Sequence, residues 1–390
     1  SATLTPSNKL VWLILAVIGV IVCYERFKNG FFKKNELGSL TMWYCLFMAL
    51  CAVTILYSYS VKSTKTYITT LFSELFFGMA IAGDEKSCKY CINISSCFLL
   101  FLMAVSLIEY FFPSVYKANF LPLINNSDTY RFRMGVDESF LRGFTVGTSQ
   151  NGLWMAIGYV LFLAKALAKK KRRILNIVIA VIFFVCTFAT GKRSYSIITV
   201  ILTFWCVFVA ARDKNTISRF LKSVILLTVI AVGLYYLREK TQLFDNILKK
   251  TTDLSKTSDM TNGRIDIYKA ALNVFQWHMF FGIGADATQA VLGIDVHNSY
   301  MQMLVEYGII GSVIPFYAIF VISFKNITSL KKIYKVIDND YDRSALLFCA
   351  LFQLLFVTSA LVAIPVQWVY ILTLHFIFQG IFLMIKNKYL

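Results

Sequence analysis

Long apolar runs separated by shorter polar stretches fill the 390-residue chain. About 18 or more apolar residues in a row can cross the roughly 30 Å of a bilayer as a helix, and irregular backbone cannot face lipid. Eleven runs are read as spans, within a range of ten to twelve and with the first and eighth short: approximately Leu10–Tyr24, Leu40–Val61, Thr66–Gly83, Tyr90–Phe112, Gln150–Ala168, Ile174–Thr190, Ser194–Ala211, Ser223–Leu237, Ser299–Ser323, Ser344–Ala363 and Val366–Ile385. The pattern predicts an all-α polytopic membrane protein, one transmembrane domain over residues 1–390. Two polar stretches, 113–149 and 238–298, are too long to be simple connections, and long structured loops in a compact protein usually have a task. Within the second, Arg264–Phe281 has helical spacing: Ile265, Tyr268, Ala271, Leu272, Phe275 and Met279 share a face that Asp266, Lys269, Asn273 and Gln276 avoid. Such a helix suits the outer membrane surface or the flank of the bundle, and Phe281-Gly282-Ile283-Gly284 ends it.

Composition agrees with this reading. Hydrophobic residues make up 58% and charged residues 15%, far from the roughly 25% charged residues of soluble domains. The net charge of +18 would suggest nucleic acid in a soluble chain, but here it must first be divided across a membrane. Lys169-Lys170-Lys171-Arg172-Arg173 marks the cytoplasmic side, and alternation from it puts both long loops outside, with the surplus of Lys and Arg inside. The outer loops still hold Arg131, Arg133, Arg142 and Arg264, so an anionic partner on that face is expected and nucleic acid is not. The nine cysteines lie in or beside apolar runs, and Cys88-x-x-Cys91 has no second pair or histidine to complete a zinc site. Neither a metal site nor a cofactor is expected.

Candidate chemistry gathers on the outer face. Arg264 follows Thr261-Asn262-Gly263 and opens the amphipathic helix, where free N–H groups and the dipole favour an anion and a guanidinium fork can pair two phosphate oxygens. The alternative for such an arginine is a partner among solvent or headgroups. His297, in Asp295-Val296-His297-Asn298-Ser299-Tyr300, stands where the long loop re-enters the membrane, and an imidazole there could accept a proton near neutral pH, with Asp295 or Asn298 holding its tautomer. A plain interfacial histidine is the other reading. Lys192 and Arg193 occupy the tight turn Gly191-Lys192-Arg193-Ser194, and Arg142 opens Arg142-Gly143-Phe144. Each could meet the same anion or simply extend to headgroups. Glu74, Glu109 and Glu306 fall in or at the edges of spans, where charge is costly; Glu306 is expected to pair with an arginine or with backbone. His278 and His375 join no visible constellation.

These segments, in this order, resemble the shared domain of bacterial O-antigen polymerases and O-antigen ligases. The resemblance rests on Asn262-Gly263-Arg264-Ile265-Asp266, Phe281-Gly282-Ile283-Gly284, His297-Asn298-Ser299-Tyr300, Glu306-Tyr307-Gly308, the Thr190–Ser194 turn, and Arg142-Gly143-Phe144 with Asn151-Gly152. It covers roughly residues 140–325. It implies a GT-C-like, metal-independent membrane glycosyltransferase whose donor is a saccharide on undecaprenyl diphosphate. Carried over by position, Arg193 and Arg264 would hold the diphosphate, His297 would activate the acceptor hydroxyl, and Arg142, Lys192 and Asn298 would bind the donor or glycan. Direct attack would invert the anomeric carbon. Lys192 departs from the small or neutral residue usual at its place, and eleven helices fall one short of the family's usual twelve.

The resemblance further implies a multi-pass protein of the bacterial inner membrane with a periplasmic site. Its partners would be membrane lipids, a lipid-linked glycan donor, a glycan or lipid A-core acceptor and, for a polymerase, a chain-length regulator. The residues around His297 and Glu306 fit a repeat-unit polymerase somewhat better than a ligase. A lipid-linked sugar flippase would need charged residues lining a central cavity and pseudo-symmetric halves, and neither is visible.

Overall fold

A computed structural model describes residues 36–82, 84–124, 140–168, 172–210 and 263–390. The expected helices Leu10–Tyr24 and Ser223–Leu237 lie outside the described residues, as do Arg131, Arg133 and the first part of the 238–298 loop. The described residues contain helices and no strand. Six helical stretches are long and apolar enough to cross a membrane: Glu36–Thr54, Glu85–Phe111, Thr148–Ala168, Ser299–Val336, Asp340–Ser359 and Val369–Tyr389. The protein is accordingly an all-α, multi-pass membrane protein.

The remaining expected spans differ for local reasons. Val61–Ala82 is one helix of 22 residues, but Lys62, Ser63, Thr64, Lys65 and Thr66 crowd its first turns and keep it out of the apolar set. Arg173–Ala189 and the apolar stretch Arg193–Cys206 are short. The run expected over Leu40–Val61 stops at Thr54, whose hydroxyl turns back to the Cys51 carbonyl (2.6 Å) and accepts the Ala285 N–H (3.2 Å). Tyr59 N–H then pairs with the Ile283 carbonyl (3.0 Å). The backbone after residue 54 is therefore committed to another loop.

Two compact units divide the chain. The first contains the C-terminal part of α3 (Glu85–Phe111), the short α4 (Pro113–Asn119), α5 (Thr148–Ala168), α6 (Arg173–Ala189) and α7 (Arg193–Ala210), with Tyr334–Leu355. Helix α5 is buried almost all round and packs on both α6 and α7. Gly158 permits the close approach of α6, since a Cβ there would overlap the Phe183 ring. Short interhelical contacts through small residues are a common means of association when lipid removes the hydrophobic drive.

The second unit holds α1 (Glu36–Thr54), α2 (Val61–Ala82), α8 (Arg264–Trp277), α9 (Thr288–Leu292), α10 (Ser299–Pro315), α11 (Ile322–Val336, up to Ile333) and α13 (Val369–Tyr389). The intervening α12 (Asp340–Ser359) belongs to the first unit up to Leu355 and to the second from Phe356. Helix α13 packs on α1 and α2, α10 on α1, and α8 on α10. His375, buried on α13, lies 3.1 Å from Tyr44 Oη through Nδ1 and 3.0 Å from Ser323 Oγ through Nε2. Gln379 donates to the carbonyls of Ala318 and Ile319, which belong to a π-turn over Phe316–Val321 just after Pro315. The histidine thus belongs to a polar network that satisfies the backbone of a helix distortion, as such distortions require in lipid.

Helix α10 is broken a second time, at Gly308, with φ 63° and ψ −173°. Its freed groups pair with the loop after α8: Ile283 and Gly284 N–H donate to Val305 and Glu306 carbonyls (3.0 and 2.9 Å), and Ile309 and Ile310 N–H donate to Met279 and Phe280 carbonyls (2.8 and 3.2 Å). The contact requires glycine on both sides. A Cβ on Gly282 would overlap the Glu306 carbonyl, and one on Gly308 would overlap the Phe280 carbonyl. Gly308→Ala should therefore destabilise the protein by the strain of a conformation open essentially only to glycine, about 1–3 kcal/mol, plus the clash, read as a lower thermal midpoint in detergent. Gly147→Ala, which meets nothing within 4 Å, is the control and should change little.

Candidate functional site

The predicted residues of the first unit converge at one end of its helices. Leu141 N–H donates to the Ala189 carbonyl (3.0 Å), and the Phe140 ring lies over Gly191 so closely that a Cβ there would overlap it. Arg142 is thereby set beside the Thr190–Arg193 turn that carries Lys192 and Arg193. The segment is held from three directions. Glu109 on α3 accepts the N–H groups of Arg142 (2.8 Å) and Gly143 (2.5 Å). Tyr116 on α4 donates to the Gly143 carbonyl (2.7 Å), and Asn151 on α5 donates to the Leu141 carbonyl (3.3 Å). Gly143, at φ 56°, leaves no room for a side chain against Ser106 and Asn151. The expected charge at the edge of α3 is a backbone anchor for Arg142-Gly143-Phe144.

In the second unit, Arg264 is the first residue of α8 and follows Gly263 in the left-handed region at φ 75°. The buried face of α8 is centred on Ala271, with Tyr268, Val274 and Phe275 packed against Ile283, Ala287, Val296 and Val305. Ile265, Leu272 and Met279, expected on the same apolar face, are exposed instead. Helix α8 therefore lies on the loop and α10, and the outer part of its apolar surface is left uncovered.

His297 is fixed by its neighbours. Val296 is buried in that core, Asn298 caps α10 by accepting the Met301 N–H at Oδ1 (3.1 Å), and Ser299 N–H donates to the carbonyls of Ala360 (2.8 Å) and Ala363 (3.1 Å). Between these anchors His297 adopts φ 56°. A left-handed conformation at a residue other than glycine costs about 1–3 kcal/mol and persists only where the surroundings impose it. Of the two residues expected to hold the imidazole, Asn298 is engaged at Oδ1 by the helix cap. Asp295 acts on His297 electrostatically.

Glu306 ties the site loop to α10. It is 1% exposed, and its Oε1 accepts from Thr288 Oγ1 and Gln302 Nε2, both at 2.8 Å, while Oε2 accepts from Gln367 Nε2 at 3.4 Å. The Asp286 backbone bonds it as well, which is the backbone partner the sequence leads one to expect. Hydroxyl and amide donors stand where the arginine of the other expectation would be. The amide oxygens of Gln302 and Gln367 are buried without a partner among the described residues.

Sequence reasoning overlooks Asp286. It has φ 53°, between Ala285, whose carbonyl accepts Thr64 Oγ1 (2.6 Å), and Ala287, which is buried. Burial, followed by the carboxylates of Glu306 and Asp295, pushes its carboxyl up to about 7. Burial also raises Asp295, with His297 opposing. The available signal is weak: an aspartate two residues beyond Gly284, in a stretch otherwise of small residues. Thr288, Gln302 and Gln367 escape in the same way. Of these only Gln302, one helical turn before Glu306, is readable from spacing.

The fold and these loops define a multi-pass helical membrane protein whose polar, strained segments lie where helices begin. Residues 178–316 match the family model described as O-antigen ligase, which supports the O-antigen polymerase and ligase family for this chain. The match spans Lys192, Arg193, Arg264, His297 and Asn298 and ends at the π-turn; Arg142 precedes it. No curated protein sequence matches the chain. Members of the matched family are glycosyltransferase-like enzymes of O-antigen and lipopolysaccharide biosynthesis, acting on a lipid-linked glycan donor and an acceptor.

The pH dependence of stability tests the Asp286 environment. Its folded pKa, about 7, lies above the ordinary 3.8, so the native state holds the proton more tightly than the unfolded chain. Its contribution is most favourable below about pH 4 and is lost as pH rises through about 7. Asp286→Asn removes that loss. The variant should gain thermal stability over the parent at pH 8 and gain less at pH 5, as read by melting in detergent; equal differences at both pH values would contradict the assignment.

Proposed function

We propose that the chain is a membrane glycosyltransferase that transfers a saccharide from undecaprenyl diphosphate to a sugar hydroxyl, acting as a repeat-unit polymerase for O-antigen or capsule. The observation that carries the reading is the family match, whose span encloses Arg193, Arg264 and His297. In the proposed step the acceptor oxygen attacks the anomeric carbon, the bond from that carbon to the diphosphate oxygen breaks, and the acceptor proton passes to His297. The configuration inverts. The leaving diphosphate gains charge, which Arg264 and Arg193 stabilise through paired N–H groups, with Arg142 and Lys192 binding the donor and Asn298 the glycan end of the site. A general base of this kind contributes about 10²–10⁴-fold. No metal takes part in this scheme.

The second reading, transfer of the finished chain to lipid A-core, is favoured by the description of the matched family as a ligase. Both readings place the protein in the bacterial inner membrane with the site on the periplasmic side, and the polymerase reading adds a chain-length regulator as a partner.

A reconstituted assay with a defined lipid-linked donor and either a lipid-linked repeat unit or lipid A-core as acceptor separates the two. Extension of the repeat unit is expected. His297→Ala and Arg264→Ala should abolish transfer while membrane insertion is retained; near-normal product from either would sink the assignment. Arg193→Lys should lose most activity because a point charge cannot reproduce the guanidinium fork. Chelator should leave the rate unchanged, and loss of activity restored by magnesium or manganese would contradict a metal-independent step.

A further inference from the structure

The loop that leads into the candidate site carries its largest apolar side chains outward. Trp277, Phe280 and Phe281 are 81%, 62% and 61% exposed, and Trp277–Gly284 contains no charged residue apart from the titratable His278. The patch extends across neighbouring elements. Tyr57 donates to the Phe281 carbonyl (3.0 Å), the Tyr59 ring meets His278 edge-on at 4.9 Å, and Leu56, in the same turn, is 86% exposed. On the other side, Ile309 and Ile310 pair their N–H groups with Met279 and Phe280 and expose their own side chains.

Those two isoleucines lie in Ser299–Val336, a stretch apolar enough to cross a membrane. The loop patch is thus continuous with the outward side of a membrane span. Contiguous exposed apolar surface marks an interaction site. The composition specifies its kind: tyrosine hydroxyls and an indole at the edge of an apolar surface are the pattern found where one end of a side chain is in hydrocarbon and the other is wet.

We infer that Trp277–Phe281 and the Leu56–Tyr59 turn form one aromatic lip inserted into the headgroup boundary of the bilayer, holding the loop that bears Asp286 and His297 at a fixed depth. The partner is the lipid surface itself. Depth is transmitted through backbone, because the lip continues directly into Ile283 and Gly284, which are paired to α10. The inference concerns membrane insertion alone and stands or falls apart from the reaction assigned to the site.

The test uses the full chain in lipid vesicles and reads the Trp277 contribution as the fluorescence difference between the parent and Trp277→Phe, a substitution that preserves an aromatic at the site. The expected difference signal is blue-shifted and quenched severalfold more strongly by lipids brominated near the headgroup end of their chains than by aqueous iodide. Stronger quenching by iodide would show a water-exposed loop and overturn the inference. Protection from both quenchers would indicate a second copy or another protein on the lip, and would overturn it equally.

Discussion

A helix that breaks inside an apolar span must replace the hydrogen bonds it loses, since lipid offers none. At Gly308 the carbonyls of Val305 and Glu306 and the N–H groups of Ile309 and Ile310 lose their helical partners, and residues 279–284 return two donors and two acceptors. The exchange fixes that loop on α10. Because the two backbones must nearly touch, Gly282 and Gly308 are required as a pair. The same constraint then governs the residues downstream. Once Gly284 is bonded to Glu306, Ala285 falls within reach of Thr54 and Thr64, Thr288 meets the Glu306 side chain, and Asp286 has no freedom to leave the left-handed region.

The electrostatics of the loop derive from this packing. Glu306 is enclosed with hydroxyl and amide donors, an arrangement that stabilises a carboxylate by hydrogen bonds in place of a counter-ion. Each such bond to a charged acceptor is worth about 1.5–3 kcal/mol, against a burial penalty of several. Burial, with the fields of Glu306 and Asp295 added to it, makes Asp286 hold its proton to near neutral pH. Asp295 in turn interacts electrostatically with His297.

Hydrophobic run length makes the class of fold legible in the sequence, and the order of the site segments is legible too, but not why they travel together. Phe281-Gly282-Ile283-Gly284 and Glu306-Tyr307-Gly308 read as separate motifs; their mutual dependence is a three-dimensional contact between distant glycines. Periodicity misplaces the buried face of α8 for a related reason. Ile265 and Leu272 satisfy helical spacing, yet the loop occupies the side centred on Ala271, and spacing cannot reveal which of two adjoining apolar stripes has a neighbour. Glu109 is legible as a charge in an unfavourable place and its partner is not, because the N–H groups of Arg142 and Gly143 lie more than thirty residues away. Asp286 escapes altogether, since its distinction lies in backbone conformation and burial.

Arg193 and Arg264 share a position. Each is the first residue of its helix, and each follows a left-handed glycine within two residues. A cation at a helix N-terminus opposes the dipole, at a cost of about 0.3–1 kcal/mol near the surface. Arg173 also opens a helix, but it belongs to the Lys169–Arg173 cluster, which the sequence reading assigns to the cytoplasmic side. The same sequence reading expects Arg193 and Arg264 on the opposite face. An anion removes the conflict, because it is attracted by the guanidinium and by the N–H groups at once. Under the proposed function, an anion of that kind is the departing diphosphate.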